Sequence, residues 1–202
     1  WRHRAGEHRV YYWPDRVAEH IDTWDGRRIA TRRRFGYAGN PLTTTSYADG
    51  VPGSVVVHTL TDDEVAVGDW RTVELGGATL RVPPGGETDG PVQRWVTDAS
   101  TLTLQLSDAP GDPTTDAYTS ALQTACRCEV VDRVPTWIGG RVAVRHRVRY
   151  AHPTHAQVGE VWAIPARGGH LVLAVVTGQG DQASSHLAIG RAVAALVEWE
   201  GR

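Results

Sequence analysis

From Trp70 onward the sequence is cut into short β-prone segments by recurrent Gly-Gly and Pro/Gly/Asp clusters, and this punctuation limits the fold more than any other feature. Thr72 to Leu75, Thr79 to Val82, Gln93 to Thr97 and Thr101 to Leu106 read as strands separated by turns, the texture of an antiparallel sheet. A helix is predicted near Thr115 to Ala125, where Ala117, Ala121, Leu122 and Ala125 recur at helical spacing after polar cap residues. Strands follow at Cys128 to Val134, Arg141 to Tyr150, Val158 to Ile164 and His170 to Thr177, the last two joined by a Gly-Gly hairpin. Ile189, Val193 and Leu196 form an apolar stripe on a closing helix, Ser185 to Trp199.

The N-terminal part reads differently. A strand at Val10 to Trp13 leads into a helix from Pro14, with Val17, Ile21 and Trp24 on one face and Gly26 as its stop. Arg27 to Phe35 is extended, Gly36 to Gly53 is a polar loop, and Ser54 to Leu60 is a strand. Runs of strands with helices between and after them predict an α+β fold, a largely antiparallel sheet covered by helices in an α/β sandwich. The change of texture divides the chain into an N-terminal α/β segment, 1–69, and a domain of antiparallel sheet plus helices, 70–202.

Apolar residues make up 41% of the 202, enough to bury a core. The longest apolar run, Leu171 to Val176, falls far short of the ~18–20 residues that a membrane helix needs. The sequence contains no Met, so the chain is expected to be a processed piece of a longer product, with membrane anchoring open through what preceded Trp1. All 21 basic residues are Arg, which removes Lys nucleophiles, Schiff bases and the P-loop Lys from consideration. Cys126 and Cys128 read as free thiols, because alternate residues of one strand lie too far apart for a bridge.

Net charge is −2, but residues 1–34, 35–129 and 130–202 carry +4, −9 and +3. Arg27, Arg28, Arg32, Arg33 and Arg34, with Tyr11, Tyr12, Trp13, Phe35 and Tyr37 nearby, suggest stacking on nucleic acid. The acidic middle and a pI near 6.5 argue against a nucleic-acid partner.

Four clusters imitate active sites. Gly178-Gln-Gly180-Asp-Gln-Ala183 has phosphate-loop spacing, but the chain ends on the next helix and lacks the strand and acid that a dinucleotide site requires. Its expected role is a strand-to-helix turn capped by Ser184 or Ser185. Asp181, Ser184, Ser185 and His186 are hydrolase residue types without a nucleophile elbow. His152-Pro-Thr-His155 lacks a third metal ligand, and the run Asp62-Asp63-Glu64 does not by itself make a facing acid/base pair. No catalytic residue, metal ligand or cofactor site is assigned, and the residues favour a non-catalytic role.

The positive signal is Arg141 to Tyr150. Val142, Val144, His146, Val148 and Tyr150 alternate with Arg141, Ala143, Arg145, Arg147 and Arg149, which sets four guanidinium groups on one side of a strand, ~7 Å between alternate residues. That side should face water or acids such as Glu160 on a neighbouring strand. Arg141, Arg145, Arg147 and Arg149 are therefore the candidate binding residues, for an acidic protein surface or an anionic or lipid ligand.

The stretch Val73-Glu-Leu-Gly-Gly-Ala-Thr-Leu-Arg-Val-Pro-Pro-Gly85 resembles the opening strands of PsbP-like domains. Gly139-Gly-Arg-Val-Ala-Val-Arg-His-Arg-Val148, the Val161-Trp162 strand, the Gly-Gly hairpin and the terminal helix continue the pattern. Together they resemble the C-terminal part of actinobacterial type VII secretion-associated proteins. The chain departs from that pattern at Gly86 and Glu87, where an aromatic often follows the Pro-Gly turn. The resemblance implies a non-catalytic accessory or protein-interaction domain at the cell envelope, extracytoplasmic and secretion-related. A small-molecule or lipid-binding module and a hydrolase with an unrecognised site are the alternatives.

Overall fold

The computed structural model describes residues 7–12, 18–35, 41–58, 63–89, 92–96, 100–107, 111–151, 156–167 and 169–199. The chain forms two compact units, Trp1–Trp70 and Arg71–Arg202.

The N-terminal unit is an antiparallel meander of six strands: β1 (Glu7–Tyr12), β2 (Ala18–Asp25), β3 (Arg28–Phe35), β4 (Pro41–Ala48), β5 (Val51–Val57) and β6 (Asp63–Ala66). Each strand pairs with its sequence neighbour. The helix expected from Pro14 is not formed: Ala18–Asp25 is a strand, and Ile21, Asp22 and Thr23 lie opposite Arg33, Arg32 and Thr31. The β-branched and aromatic residues Ile21, Thr23 and Trp24 prefer a pleated surface once strands on both sides supply partners. Gly26, expected as a helix stop, takes φ +63° in the turn from β2 to β3. The expected polar loop contains β4, whose Thr43 and Thr45 are buried. Threonine is β-branched, so a Thr-rich run is better suited to a strand than its polarity suggests.

The C-terminal unit opens with β7 (Arg71–Leu75), β8 (Ala78–Val82), β9 (Glu87–Asp89), β10 (Val92–Val96) and β11 (Ser100–Ser107). Helix α1 (Asp116–Cys126) precedes β12 (Cys128–Ile138), β13 (Arg141–Tyr150), β14 (Gln157–Ala166) and β15 (Gly169–Gly178). Helix α2 (Ala183–Ala195) and β16 (Glu198–Trp199) close the unit. Seven strands form one sheet in the order β12-β13-β14-β15-β11-β10-β9, and β16-β8-β7 form a small second sheet. Register places Leu102 opposite Val175, and both Leu104 and Trp162 opposite Leu173, on one face of the large sheet. Helix α2 packs against that face through buried Leu187, Ala188, Ala192 and Val193. A Cβ on Gly190 would stand 2.8 Å from Val175 Cγ1 and 3.0 Å from Trp162 Cζ3, so glycine permits the close approach of helix and sheet.

The α+β sandwich covered by helices is thus corrected to a mostly β protein with three antiparallel sheets and two helices among the described residues. Helix α1 has no buried residue and borders β12, while α2 alone carries a buried face. Helix α1 is capped as expected, with Thr115 Oγ1 accepting from the Tyr118 backbone N–H. Helix α2 is not, since it starts at Ala183 with Gln182 as an N-cap that makes no side-chain bond. It also ends before Trp199, because Glu198 and Trp199 turn out to pair with Thr79 and Ala78 of β8.

Cys126 and Cys128 form a disulfide, which overturns the reading as free thiols. They do not share a strand. Cys126 ends α1, Arg127 adopts the left-handed conformation at φ 52°, and Cys128 begins β12. That reversal brings the two Cα atoms to 5.2 Å, inside the range a disulfide spans.

Candidate functional site

The arginines of β13 lie on the face that α2 covers. Arg145, Arg147 and Arg149 stand opposite Trp162, Glu160 and Val158 of β14. At the centre is Glu160, fully buried, which accepts from Arg191 Nε at 2.8 Å and Nη2 at 2.6 Å. This two-pronged bond joins α2 to the sheet and offsets the desolvation of both charges. Arg145 Nη1 also approaches Glu160, at 3.8 Å.

The four candidate residues consequently have different surroundings. Arg141 donates to the Pro165 carbonyl at 2.9 Å and lies over the Trp199 ring, 3.7 Å from its centre. Arg145 is half-buried beside Glu160. Arg149 is exposed and reaches Glu129 at 3.4 Å. Arg147 is exposed and has no ion-pair or hydrogen-bond partner among the described residues, although Asp132 and Glu160 flank it in register. It lines a cavity of about 210 Å³ together with Arg149, Val158, Ser184, Leu187 and Arg191. The sequence pointed to the row, but not to Arg191, which completes the cavity from the helix. The available signal was a single Arg within the otherwise apolar run Leu187 to Val197.

The opposite face of β13 carries His146, fully buried, and Tyr118 of α1 stacks on it with ring centres 5.9 Å apart. Tyr118 also meets His170 edge-on at 5.5 Å. Burial pushes the His146 imidazole below its ordinary range; a backbone hydrogen bond with Val161 opposes this, and the Arg133 charge adds a smaller push downward. Burial alone raises the Tyr118 phenol. His146 read from the sequence as one more residue of an apolar face.

Among the described residues, the Gly178, His186 and Asp63-Glu64 segments take ordinary structural places. His186 Nδ1 lies 3.1 Å from Thr177 Oγ1. Gly178 ends β15 and Gly180 lies in the bend that leads into α2. Asp63 and Glu64 are successive residues of β6 opposite Val57 and Val56, so they point to opposite faces of the sheet. Asp62, His152, His155, Trp13 and Tyr37 lie outside the described residues. No cluster of three metal-ligating residues occurs among the described residues. The Arg27 to Arg34 cluster is divided by strand alternation. Arg33 is exposed on one side, Arg32 and Arg34 face the other, and Arg28 pairs with Asp49. No helix among the described residues is long and apolar enough to cross a membrane.

No protein-family description matches the sequence, and no curated protein does. Several solved structures are similar in fold over part of the chain. A protein of unknown function from Pseudomonas aeruginosa, PA94, shares 18% identity at a TM-score of 0.44, covering 63% of this chain and 95% of its own. The Ran-binding protein Mog1p of Saccharomyces cerevisiae shares 13% identity at a TM-score of 0.47, covering 65% and 95%. LpqN of Mycobacterium tuberculosis, involved in cell envelope biogenesis, shares 16% identity at a TM-score of 0.32, covering 64% and 78%. Likeness at this level assigns neither a family nor an activity.

Proposed function

We propose that the C-terminal unit, 71–202, is a non-catalytic interaction domain that receives an acidic segment of a partner protein beside Arg147, between β13 and α2. The observation that carries this reading is the contrast within the arginine row. Arg141, Arg145 and Arg149 each have an internal partner, whereas Arg147 is exposed, unpaired among the described residues and open to the cavity. A guanidinium in that setting is suited to a bidentate grip on a carboxylate. The cavity of about 210 Å³ is below the ~300–1,000 Å³ usual for small-molecule sites, which favours one acidic side chain over a lipid chain.

An envelope location and a secretion-related role, which the PsbP-like resemblance implies, belong to the same proposal. The Cys126–Cys128 disulfide supports an oxidising compartment. The test is fluorescence anisotropy with a labelled Glu-rich peptide on the whole chain. Wild type should bind with an affinity that falls as salt rises, and Arg147→Glu should abolish binding while Arg33→Glu leaves it intact. Equal binding by Arg147→Glu would overturn the site.

A further inference from the structure

The N-terminal unit holds a half-buried guanidinium, Arg34, whose Nε has no hydrogen-bond partner among the described residues. On one face of the meander, register aligns Tyr11, His20, Arg34, Thr43 and Val57 in a row across five strands. Neighbours in such a row have Cβ atoms only ~4.5–5.5 Å apart. Three successive members each hold a buried polar atom without a hydrogen-bond partner: His20 Nδ1, Arg34 Nε and Thr43 Oγ1. Thr43 as a whole is 6% exposed.

The adjacent row shows what a satisfied version of this arrangement looks like. Asp22, fully buried, accepts from Arg32 Nε at 2.8 Å and Nη2 at 2.9 Å. With Asp22 committed to Arg32, Arg34 has no ion pair or hydrogen bond among the described residues. The remaining acid nearby, Glu19, lies 3.7 Å from His20 Nδ1. Burial, and then the neighbouring Arg32 charge, act to lower the Arg34 pKa, against weaker help from Tyr47, Glu19 and Asp22. A guanidinium left in this state bears the cost of desolvation without the compensation an ion pair would give. Arg keeps its proton, so the cost is not relieved by neutralisation. A bound anion relieves it.

We propose that the row His20, Arg34 and Thr43 is a binding site for an oxyanion group, a carboxylate or a phosphate. Arg34 provides the charge and a fork of N–H donors, and the Thr43 hydroxyl donates one hydrogen bond to a second oxygen. Tyr11, stacked on His20 with ring centres 4.2 Å apart, holds the imidazole at the end of the row. The Asp22–Arg32 pair holds the sheet beneath the ligand and donates nothing further to it.

The test titrates the whole chain with inorganic phosphate in one arm and acetate in the other, at constant ionic strength, and follows the unfolding midpoint and the side-chain Nε–H resonance of Arg34. A site of this kind gives a saturable rise of the midpoint and a saturable shift of that resonance with at least one of the two, and the responding arm identifies the chemistry. Thr43→Val, nearly isosteric, should weaken the apparent Kd about tenfold by removing one charge-assisted bond. Arg34→Met should fold, because an apolar side chain replaces an uncompensated charge, and should lose the response. No saturable response of the wild type to either anion, or the same response in Arg34→Met, would overturn the proposal.

Discussion

Arg191 on α2 and Glu160 on β14 meet through two hydrogen bonds of 2.8 and 2.6 Å, with the carboxylate fully buried. Removing one partner strands the other in a medium that cannot solvate it. Glu160→Gln and Arg191→Ala are each expected to destabilise the chain by about 3–5 kcal/mol. Replacing both together by apolar residues of similar volume should cost far less than either alone. Urea unfolding of the two single variants and the double variant measures this coupling.

His146 makes stability depend on pH. Its folded-state pKa is depressed by burial and by Arg133, so the unfolded chain binds the proton more readily than the folded one. Stability contributed by the neutral imidazole is therefore fully present above the unfolded value of about 6.5 and is lost as pH falls below it toward the folded pKa. Tyr118 stacks on the imidazole and Arg133 acts on it by charge, and neither supplies a carboxylate to hold the added proton. Thermal unfolding of wild type and His146→Phe between pH 7 and pH 5 should show a steeper fall for wild type. Parallel curves would show that His146 contributes nothing to it.

The bridge between Cys126 and Cys128 closes a loop with one residue between its ends. Chain-entropy arguments assign so short a loop only about 1.6 kcal/mol. Cys126→Ser with Cys128→Ser is expected to remain folded and to lose no more than about that amount, read from the shift in denaturation midpoint at unchanged slope.

Gly190→Ala sets two effects against each other. Alanine in a helix interior gains about 1 kcal/mol over glycine, but the added methyl would stand 2.8 Å from Val175 Cγ1 and 3.0 Å from Trp162 Cζ3. Overpacking of this kind costs about 1–3 kcal/mol, so the balance should fall on the destabilising side. A raised melting temperature would mean that α2 can slide away from the sheet at little cost.

Most strands that follow Arg71 were legible because turn residues bound them and because their apolar pattern has one dominant period, whereas the very short β9 and β16 were not. Helix α1 was legible for a similar local reason, its Thr115 cap ahead of a spaced Ala/Leu run. Residues 18–25 and 41–48 were not, because Ile21 and Trp24 fit helical spacing equally well and a Thr-rich run resembles a loop until a neighbouring strand is there to pair. Alternation placed the four arginines of β13 on one side correctly, since that depends only on the pleat. Which of them remain available depends on Glu160, Glu129, Pro165 and Trp199, all distant in sequence. The disulfide was missed because it depends on one left-handed residue, Arg127, whose conformation no local pattern announces.

Every pairing in the β1 to β6 meander joins strands that follow one another along the chain, while β11 must wait for β15, emerging after two hairpins and a helix, before its inner edge is covered. The two units thus begin folding with very different loop-closure demands. During synthesis the N-terminal sheet can zip up hairpin by hairpin as it leaves the ribosome. The unpaired edge of β11 meanwhile stays open to foreign strands, which makes it the segment where a delayed or truncated chain would first aggregate.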